Sequence, residues 1–454
     1  MKNNEKNMKD IVNHLKNSGF VFQSSEIYGG LSNTWDYGPL GIAIINKIKA
    51  SWWKNFVNLE INNVGLDSKI LLNPKIWEAS GHISNFSDPL IENKVNQKRY
   101  RADHIYEEIS KKNANGMSNE LLEMFLKENV KEYDGDKTDW TGIKQFNLMF
   151  ETSQGVIDGS KSSIYLRPET AQGIFVNFNN IQRSLRLKLP FGVGQIGKSF
   201  RNEVTPGNFI FRTREFEQME LEFFTFEERS EEDYNYYVKK SFDFIKSLGI
   251  KKESLMIRVH EKDELAHYSK GTSDIEFLYP FGWGEVMGIS NRQDFDLSSH
   301  NKSSNTELKY LVPETNKFII PTVIEPSVGV DRLLLAVLVD SYEVETLESD
   351  ERIILKLDKD LAPYKVAILP LVKKLSPQAK EIYLDLVQND ISTSFDETGS
   401  IGKRYRRQDS IGTYYSITFD YDSLEDKKVT VRNRDTMEQE RILIKDIQKY
   451  ISKK

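Results

Sequence analysis

Arg201-Asn202-Glu203, then the loop Val204-Thr205-Pro206-Gly207-Asn208-Phe209-Ile210-Phe211-Arg212-Thr213, then Arg214-Glu215-Phe216-Glu217-Gln218-Met219-Glu220-Leu221-Glu222 read as two β-strands joined by a turn. Pro-Gly-Asn is turn chemistry, and both halves of the string carry cations. Side chains alternate along a strand, so Arg214, Phe216, Gln218, Glu220 and Glu222 share one face. Glu215, Glu217, Met219, Leu221 and Phe223 take the other. The first face offers an aromatic platform, an amide and carboxylates. A purine can stack on Phe216, Arg201 and Arg212 can hold a triphosphate, and Glu220 can receive a cationic group. Residue by residue, a charged hairpin with one wet face explains the same pattern.

The string as a whole resembles motif 2 of the class II aminoacyl-tRNA synthetases, and in its wording it is most similar to the homodimeric glycyl-tRNA synthetases. The resemblance implies an α+β fold: an antiparallel catalytic sheet flanked by helices, with a C-terminal α/β anticodon-binding domain. Two further elements should accompany it. Downstream, Glu325-Pro326-Ser327-Val328-Gly329-Val330-Asp331-Arg332 precedes the apolar run Leu333 to Val339, so a strand passes through Gly329 into a helix and looks like motif 3. Arg332 then falls in the first helical turn, where the macrodipole disfavours a cation unless an anion such as a phosphate faces it. Upstream, Trp35-Asp36-Tyr37-Gly38-Pro39-Leu40-Gly41 breaks the chain before a helix with apolar residues at Ile42, Ile45, Ile48, Trp52 and Phe56, followed by an extended stretch Val64 to Leu72. This looks like motif 1, the dimer-forming element.

By resemblance, ATP is expected at Arg201, Asn202, Glu203, Phe211, Arg212, Thr213, Arg214, Glu215, Phe216, Glu285, Val286, Arg292, Gly329, Val330, Asp331 and Arg332. Arg201, Arg212 and Arg332 would be the catalytic cations, and Glu285 would contact Mg2+. Glycine is expected at Arg101, Glu169, Phe216, Glu217, Gln218, Met219, Glu220, Glu325, Pro326, Ser327, Val328 and Gly329. Glycine has no side chain to grip. Its ammonium would be held by Glu169, Glu220 and Glu325, while Ser327, placed where a β-carbon would sit, would reject larger amino acids by collision. The implied reaction is attack of the glycine carboxylate on the ATP α-phosphate, then transfer of glycine to the 3′ end of tRNA(Gly). The nucleophile is already ionised at pH 7, so no general base is needed. Catalysis is positioning and charge neutralisation.

The composition suits a large enzyme: 454 residues, 39% hydrophobic, and no cysteine. Disulfides, thiol nucleophiles and cysteine-ligated zinc are thereby excluded. No apolar run approaches the ~20 residues of a membrane span, and residues 1–20 are polar, which together predict a cytoplasmic protein without membrane contact. From Tyr364 onward 17 Lys and Arg stand against 14 Asp and Glu, while upstream 45 stand against 54. An acidic body with a mildly basic tail suits engagement of one folded RNA. Two strings mislead. Gly192-Val193-Gly194-Gln195-Ile196-Gly197 fits G-x-G-x-x-G but leads into an extended segment, and is expected to be a turn before a strand. His260-Glu261 has its next histidine, His267, at seven residues, where a zinc-binding helix needs four.

The chain is expected to divide into a catalytic core (1–85 and 145–340), a polar, helix-forming insertion (86–144, clearest helix Leu121 to Val130), a charged connector (341–362) and an α/β module (363–454). Within the module, strands are expected at Val366 to Leu369, Ile391 to Phe395, Tyr415 to Phe419 and Val429 to Val431, with helices from Pro377 to Gln388 and at the end. The module resembles the anticodon-binding domain shared by the glycyl, histidyl, prolyl and threonyl enzymes, which implies tRNA contacts at Lys403, Arg404, Arg406, Arg407, Arg432 and Arg434. Some relatives carry Cys-x-x-Cys pairs in the insertion. Here Asn93 and Asn96 replace the first pair, and Asp134 to Trp140 lies near the second, so no zinc is expected. Two alternatives remain: a non-catalytic synthetase paralogue binding RNA or a polymerase, and a class II enzyme for another small amino acid.

Overall fold

A computed structural model describes residues 3–112, 114, 117–155, 162–262, 264–266, 269–346 and 351–453. His267 lies outside them.

A seven-stranded sheet carries the site, in the spatial order Leu255–Val259, Gly271–Tyr279, Gly282–Gln293, Thr322–Gly329, Glu215–Thr225, Phe191–Phe200, Val64–Gly65. Every pairing is antiparallel except the last, where Val64 and Gly65 run parallel to Val193 and Gly194. The alternation read from the sequence holds: Met219 and Leu221 enter the large core, together with Ile44, Ile48 and Trp52 of the helix Pro39–Trp53 and Leu334 and Leu338 of the helix Val330–Ser341. Pro39 occupies the first turn of its helix, where its missing N–H costs nothing. The 192–197 glycines lie inside the strand Phe191–Phe200, not in a turn before it. Their bareness admits neighbours: a β-carbon on Gly197 would stand 2.1 Å from the Arg167 guanidinium, and one on Gly194 would stand 2.7 Å from Val57. That strand ends at Phe200, one residue before Arg201. The loop beyond it contains a single 3-10 turn, Phe209–Phe211, and a bridge from Gly207 to Arg212.

The insertion is less helical than its polarity suggests. A three-stranded sheet, Lys98–Arg101, Ser87–Asn93 and Lys144–Asn147, packs with the helices Ala102–Ser110 and Asn119–Asn129 around Ile91, Ile105, Leu126 and Trp140. The connector, read as charged and turn-poor, contains a β-hairpin, Tyr342–Thr346 with Glu351–Leu355; residues 347–350 lie outside the described residues. Alternating Tyr342, Val344 and Thr346, with Tyr342 opposite Leu355 and Val344 opposite Ile353, supply the strand pattern beneath the charge.

The C-terminal sheet has five strands in the order Thr393–Phe395, Val366–Pro370, Tyr415–Phe419, Lys428–Asn433, Gln439–Leu443, the first three parallel and the rest antiparallel. The strand Gln439–Leu443 was not expected from its polar sequence; only Ile442 of it is buried. Among the described residues, no helix is long and apolar enough to cross a membrane.

Candidate active site

The sheet presents a cavity of about 310 Å³, lined from the four strands Gly271–Tyr279, Gly282–Gln293, Thr322–Gly329 and Glu215–Thr225 and from the 201–213 loop. Strand register explains what gathers there. Glu220 pairs with Ser327, Ser327 with Gly288, and Ser290 with Glu325, so side chains of one face form a compact patch. At this end Glu169, Glu220, Glu325 and Ser327 meet. The Thr170 hydroxyl donates to Glu220, whose other supporting donor is Ser327.

Behind these acids lies a buried polar network. Arg292 Nη1 donates to Glu325 Oε2 at 2.9 Å, while its Nε and Nη2 donate to the two oxygens of Asp296 at 2.7 and 2.9 Å. The Gln172 amide donates to Glu169 Oε1 and to Asp296 Oδ1, both at 2.9 Å, and its oxygen faces His300 Nε2 at 2.8 Å. Glu169 does not pair with Arg167, which is occupied by Ser68 and Lys198 carbonyls. It pairs with His82, at 3.5 Å. The charges respond. Burial pushes Glu325 up to about 8, with Arg292 opposing and Glu220 and Glu169 reinforcing the shift. Burial and the Glu169 charge also raise Glu220. Burial would raise Glu169 too, but His82, Arg292 and the Gln172 amide outweigh it and hold that carboxyl below its ordinary range.

The other end of the cavity is cationic and aromatic. The Arg201 guanidinium is anchored on the Pro168 carbonyl at 3.1 Å and lies between two rings, 5.3 Å from Phe216 and 5.4 Å from Phe86. Arg201 thus covers one face of the ring assigned to a purine. Arg332 stacks over Phe211 at 4.5 Å and reaches Glu285 Oε2 at 3.0 Å, and Arg212 reaches Glu203 Oε2 at 3.2 Å. Beyond Glu285, a β-carbon on Gly288 would stand 3.4 Å from Glu285 Oε1 and 3.5 Å from Asp274 Oδ1, so two carboxylates converge over a bare glycine. Burial and the Glu285 charge raise Asp274 to about 6, against His260 Nε2 at 2.6 Å.

Of the expected residues, Glu169, Arg201, Glu203, Phe211, Arg212, Thr213, Phe216, Gln218, Glu220, Glu285, Val286, Arg292, Glu325, Ser327, Gly329, Asp331 and Arg332 line this cavity. The others do not. Met219 and Val328 are buried in the core below the sheet because they occupy the alternate register, and Val330 is buried there as the first residue of the helix Val330–Ser341. Glu217 turns to Lys49, Glu215 to Lys198, and Arg214 to the Ser32 carbonyl. Pro326 is buried within its strand, and the Asn202 backbone binds the Leu148 carbonyl at 2.7 Å. Arg101 is held by Asp88 at 3.1 Å and Asp103 at 2.5 Å, behind Glu203 and Arg212 and outside the lining itself. Sequence reasoning missed His82, Gln172, Asp274, His260 and Asp296. Asp296 and Gln172 left local traces, the i,i+4 spacing of the first from Arg292 and the i,i+3 spacing of the second from Glu169.

In the C-terminal module the expected cations separate into two groups. Arg404 donates to the Pro370, Leu371 and Asp396 carbonyls, Arg432 forms a bidentate pair with buried Asp409, and Arg434 binds the Gly412 carbonyl and Asp435. All three are buried, so they shape the module and are withdrawn from RNA. Lys403 and Arg407 remain exposed, and Arg406 half-buried, on the helix Ile401–Ser410.

Residues 150–342 match the model of the tRNA synthetase class II core domain (G, H, P, S and T), and residues 365–454 that of the anticodon binding domain. The chain is 62% identical over 450 residues to the glycine–tRNA ligase of Mycoplasmopsis synoviae (strain 53), covering 99% of this chain and 100% of that one. It is 55% identical to the glycine–tRNA ligase of Macrococcus caseolyticus (strain JCSC5402), over 99% of both chains. Among solved structures it is similar to the prolyl-tRNA synthetase of Cryptosporidium parvum complexed with L-proline and AMP, with a TM-score of 0.63 and 12% identity, over 98% of this chain and 76% of that one. At that identity the likeness is one of fold.

Proposed function

The chain belongs to the glycine–tRNA ligase family of class II aminoacyl-tRNA synthetases, and we propose that the cavity on its central sheet is where glycine meets ATP. The reaction is that of the family: glycine and ATP give glycyl-adenylate and diphosphate, and the glycyl group then passes to tRNA, releasing AMP. The observation that carries the site assignment is the polarity of one cavity, with Glu169, Glu220, Glu325 and Ser327 at one end and Arg201, Arg212 and Arg332 at the other.

The ammonium of glycine fits among the three carboxylates, and its carboxylate is thereby directed toward the arginines. Arg201, fixed between two rings and a carbonyl, is preorganised for the α-phosphate; Arg212 and Arg332 serve the remaining phosphates. Arg212 and Arg332 are paired with Glu203 and Glu285, so nucleotide must displace or share those partners. Glu285, with Asp274 beside it, fits an oxygen-ligated divalent ion, and Mg2+ bound there would neutralise phosphate charge.

Lys403 and Arg407 are the cations we assign to tRNA(Gly). Ile27, Tyr28 and Ile61 flank the helix Pro39–Trp53 almost fully exposed, which supports a homodimer through this region. We retain the division into core, insertion, connector and anticodon-binding module, and assign the protein to the cytoplasm. Amino-acid-dependent ATP–pyrophosphate exchange tests the reading. Exchange should be strong with glycine and weak with alanine or serine, and Arg201→Ala should nearly abolish it with the fold intact. Equal exchange with alanine, or an unaffected Arg201→Ala enzyme, would overturn it.

A further inference from the structure

Glu222 stands two residues beyond Glu220 on the strand Glu215–Thr225 and on the same face, yet it does not line the cavity. Its side chain is completely buried, and neither carboxyl oxygen has a hydrogen-bond partner. Oxygens of Glu220, Glu222 and Glu325 lie within 4.8 Å of one another. The groups facing it are Glu220 on its own strand, Glu325 on Thr322–Gly329, Arg292 on Gly282–Gln293 and Asp296 on Phe295–Ser304. Arg292 is the one cation in that group, and Asp296 and Glu325 already engage it.

An ionised Glu222 in this position would be a desolvated anion with no protein donor, facing three more acids. That arrangement is among the costliest a protein interior can hold. A neutral carboxylic acid avoids the cost and acquires a function, because its O–H is a donor surrounded by acceptors. A donor within reach of Glu220 and Glu325 quenches their mutual repulsion and fixes which oxygens face the cavity. Burial beside Glu325 and Glu220 pushes the carboxyl well above its ordinary range, in the same direction.

We propose that Glu222 is a positioning residue of the ammonium pocket, a carboxylic acid whose proton is donated to the Glu220 or Glu325 carboxylate and orients it toward the substrate. This rests on assigning that pocket to glycine. Glu222 would never touch the substrate; it acts through the two acids that do.

Three variants of the full-length chain separate the possibilities. Glu222→Gln keeps a neutral donor of the same shape, Glu222→Met keeps the approximate volume without a donor, and Glu325→Gln removes a proposed substrate contact. In glycine-dependent ATP–pyrophosphate exchange, Glu222→Gln should keep the glycine KM within about threefold of the parent, whereas Glu222→Met should raise it about tenfold or more with a smaller change in the ATP KM. Equal KM increases in Gln and Met variants, or no increase in either, would overturn the proposal.

Thermal unfolding against pH gives a second readout, independent of catalysis. A buried acid that is protonated when folded and ionised when unfolded makes folding take up a proton, so its contribution to stability falls as pH rises above the ordinary carboxylate range. The Tm of Glu222→Gln relative to the parent should therefore climb with pH. A relative Tm that falls as pH rises would show Glu222 ionised and would also overturn the proposal. If Glu325→Gln leaves the glycine KM unchanged, the pocket assignment itself is wrong, which is a different outcome from either failure at Glu222.

Discussion

The Tyr37 hydroxyl donates to Asp331 Oδ1. Asp331 Oδ2 accepts the Glu217 backbone N–H at 2.9 Å, so one carboxylate at the start of the helix Val330–Ser341 ties the segment before Pro39 to the strand bearing Phe216 and Glu220. Burial raises the Asp331 carboxyl, and the Tyr37 hydroxyl and Glu217 amide work against that rise. Tyr37→Phe leaves the acid with one donor fewer. The expected loss is about 1–3 kcal/mol of unfolding free energy, read by chemical denaturation. Because the clasp spans the elements that carry Arg332 and Phe216, the ATP KM should rise as well; an unchanged KM would confine Tyr37 to stability.

Ser327 sits opposite Glu220 and Gly288 in the sheet and lines the carboxylate end of the cavity, the end proposed for the glycine ammonium. Ser327→Gly should open room for a methyl group. Alanine-dependent ATP–pyrophosphate exchange should rise by roughly tenfold or more relative to glycine-dependent exchange, the scale that one methylene commands. Serine at this position also supports Glu220, so the glycine KM should worsen at the same time. An unchanged alanine rate would mean that something else excludes larger substrates.

Much of this site could be read along the chain, because the period of a strand is local. Phe216, Gln218 and Glu220 were placed on one face by alternation, and Arg332 at a helix start by the run that follows it. The same rule, applied consistently, would have removed Glu217, Met219 and Val328 from the pocket. What the sequence could not reveal depends on distance along the chain. His82 meets Glu169 from 87 residues away, and Asp274 reaches Glu285 from a neighbouring strand. Arg404, Arg432 and Arg434 look like RNA-binding cations in the sequence because the groups that engage them, the Pro370 and Leu371 carbonyls, Asp409 and the Gly412 carbonyl, lie far upstream and leave no local trace.

Glu325 gives the pocket a pH dependence. Burial pushes its carboxyl up to about 8, so below that pH an entering ammonium competes with a proton. The glycine KM should fall as pH rises toward about 8 and level off there. Glu325→Gln should flatten the profile at a higher KM. Stability runs the other way: the unfolded chain loses this proton near the ordinary 4.5 of a glutamate, so the contribution is full below that pH and is lost as pH rises through about 8. Saturating glycine should therefore raise Tm more at pH 8 than at pH 6, which differential scanning fluorimetry can check.

In the insertion, Asn93 ties two turns together. Its side chain is fully buried, its amide donates to the Lys137 carbonyl at 2.9 Å, and its oxygen accepts from the Val95 and Asp139 amides at 3.2 and 2.9 Å. Asn96 adds a bond to Asp136 Oδ2 at 2.9 Å. The two turns are thus held by polar bonds as well as by packing around Trp140. Asn93→Ala strands three backbone groups and should cost about 1–3 kcal/mol locally. Limited proteolysis should then cut within 86–144 first, while glycine-dependent exchange survives; a global loss of Tm would show that the insertion unfolds only with the core.

The two kinds of cation in the C-terminal module predict opposite phenotypes. Lys403 and Arg407 are exposed on the helix Ile401–Ser410; Arg407 is paired to Asp396 at 2.6 Å but remains open to solvent. Exposed pairs of this kind contribute little to stability, so Lys403→Ala with Arg407→Ala should leave Tm nearly unchanged. Removal of two phosphate-competent cations should raise the tRNA KM of aminoacylation and reduce its salt dependence, with ATP–pyrophosphate exchange untouched. Arg404 is different. Its guanidinium closes three carbonyls at the ends of buried strands, and Arg404→Ala leaves those acceptors without donors. It should lower the unfolding temperature of the module and impair aminoacylation only through that loss. If Arg404→Ala instead weakens tRNA binding in a fully stable protein, the guanidinium must leave its carbonyl nest when RNA arrives.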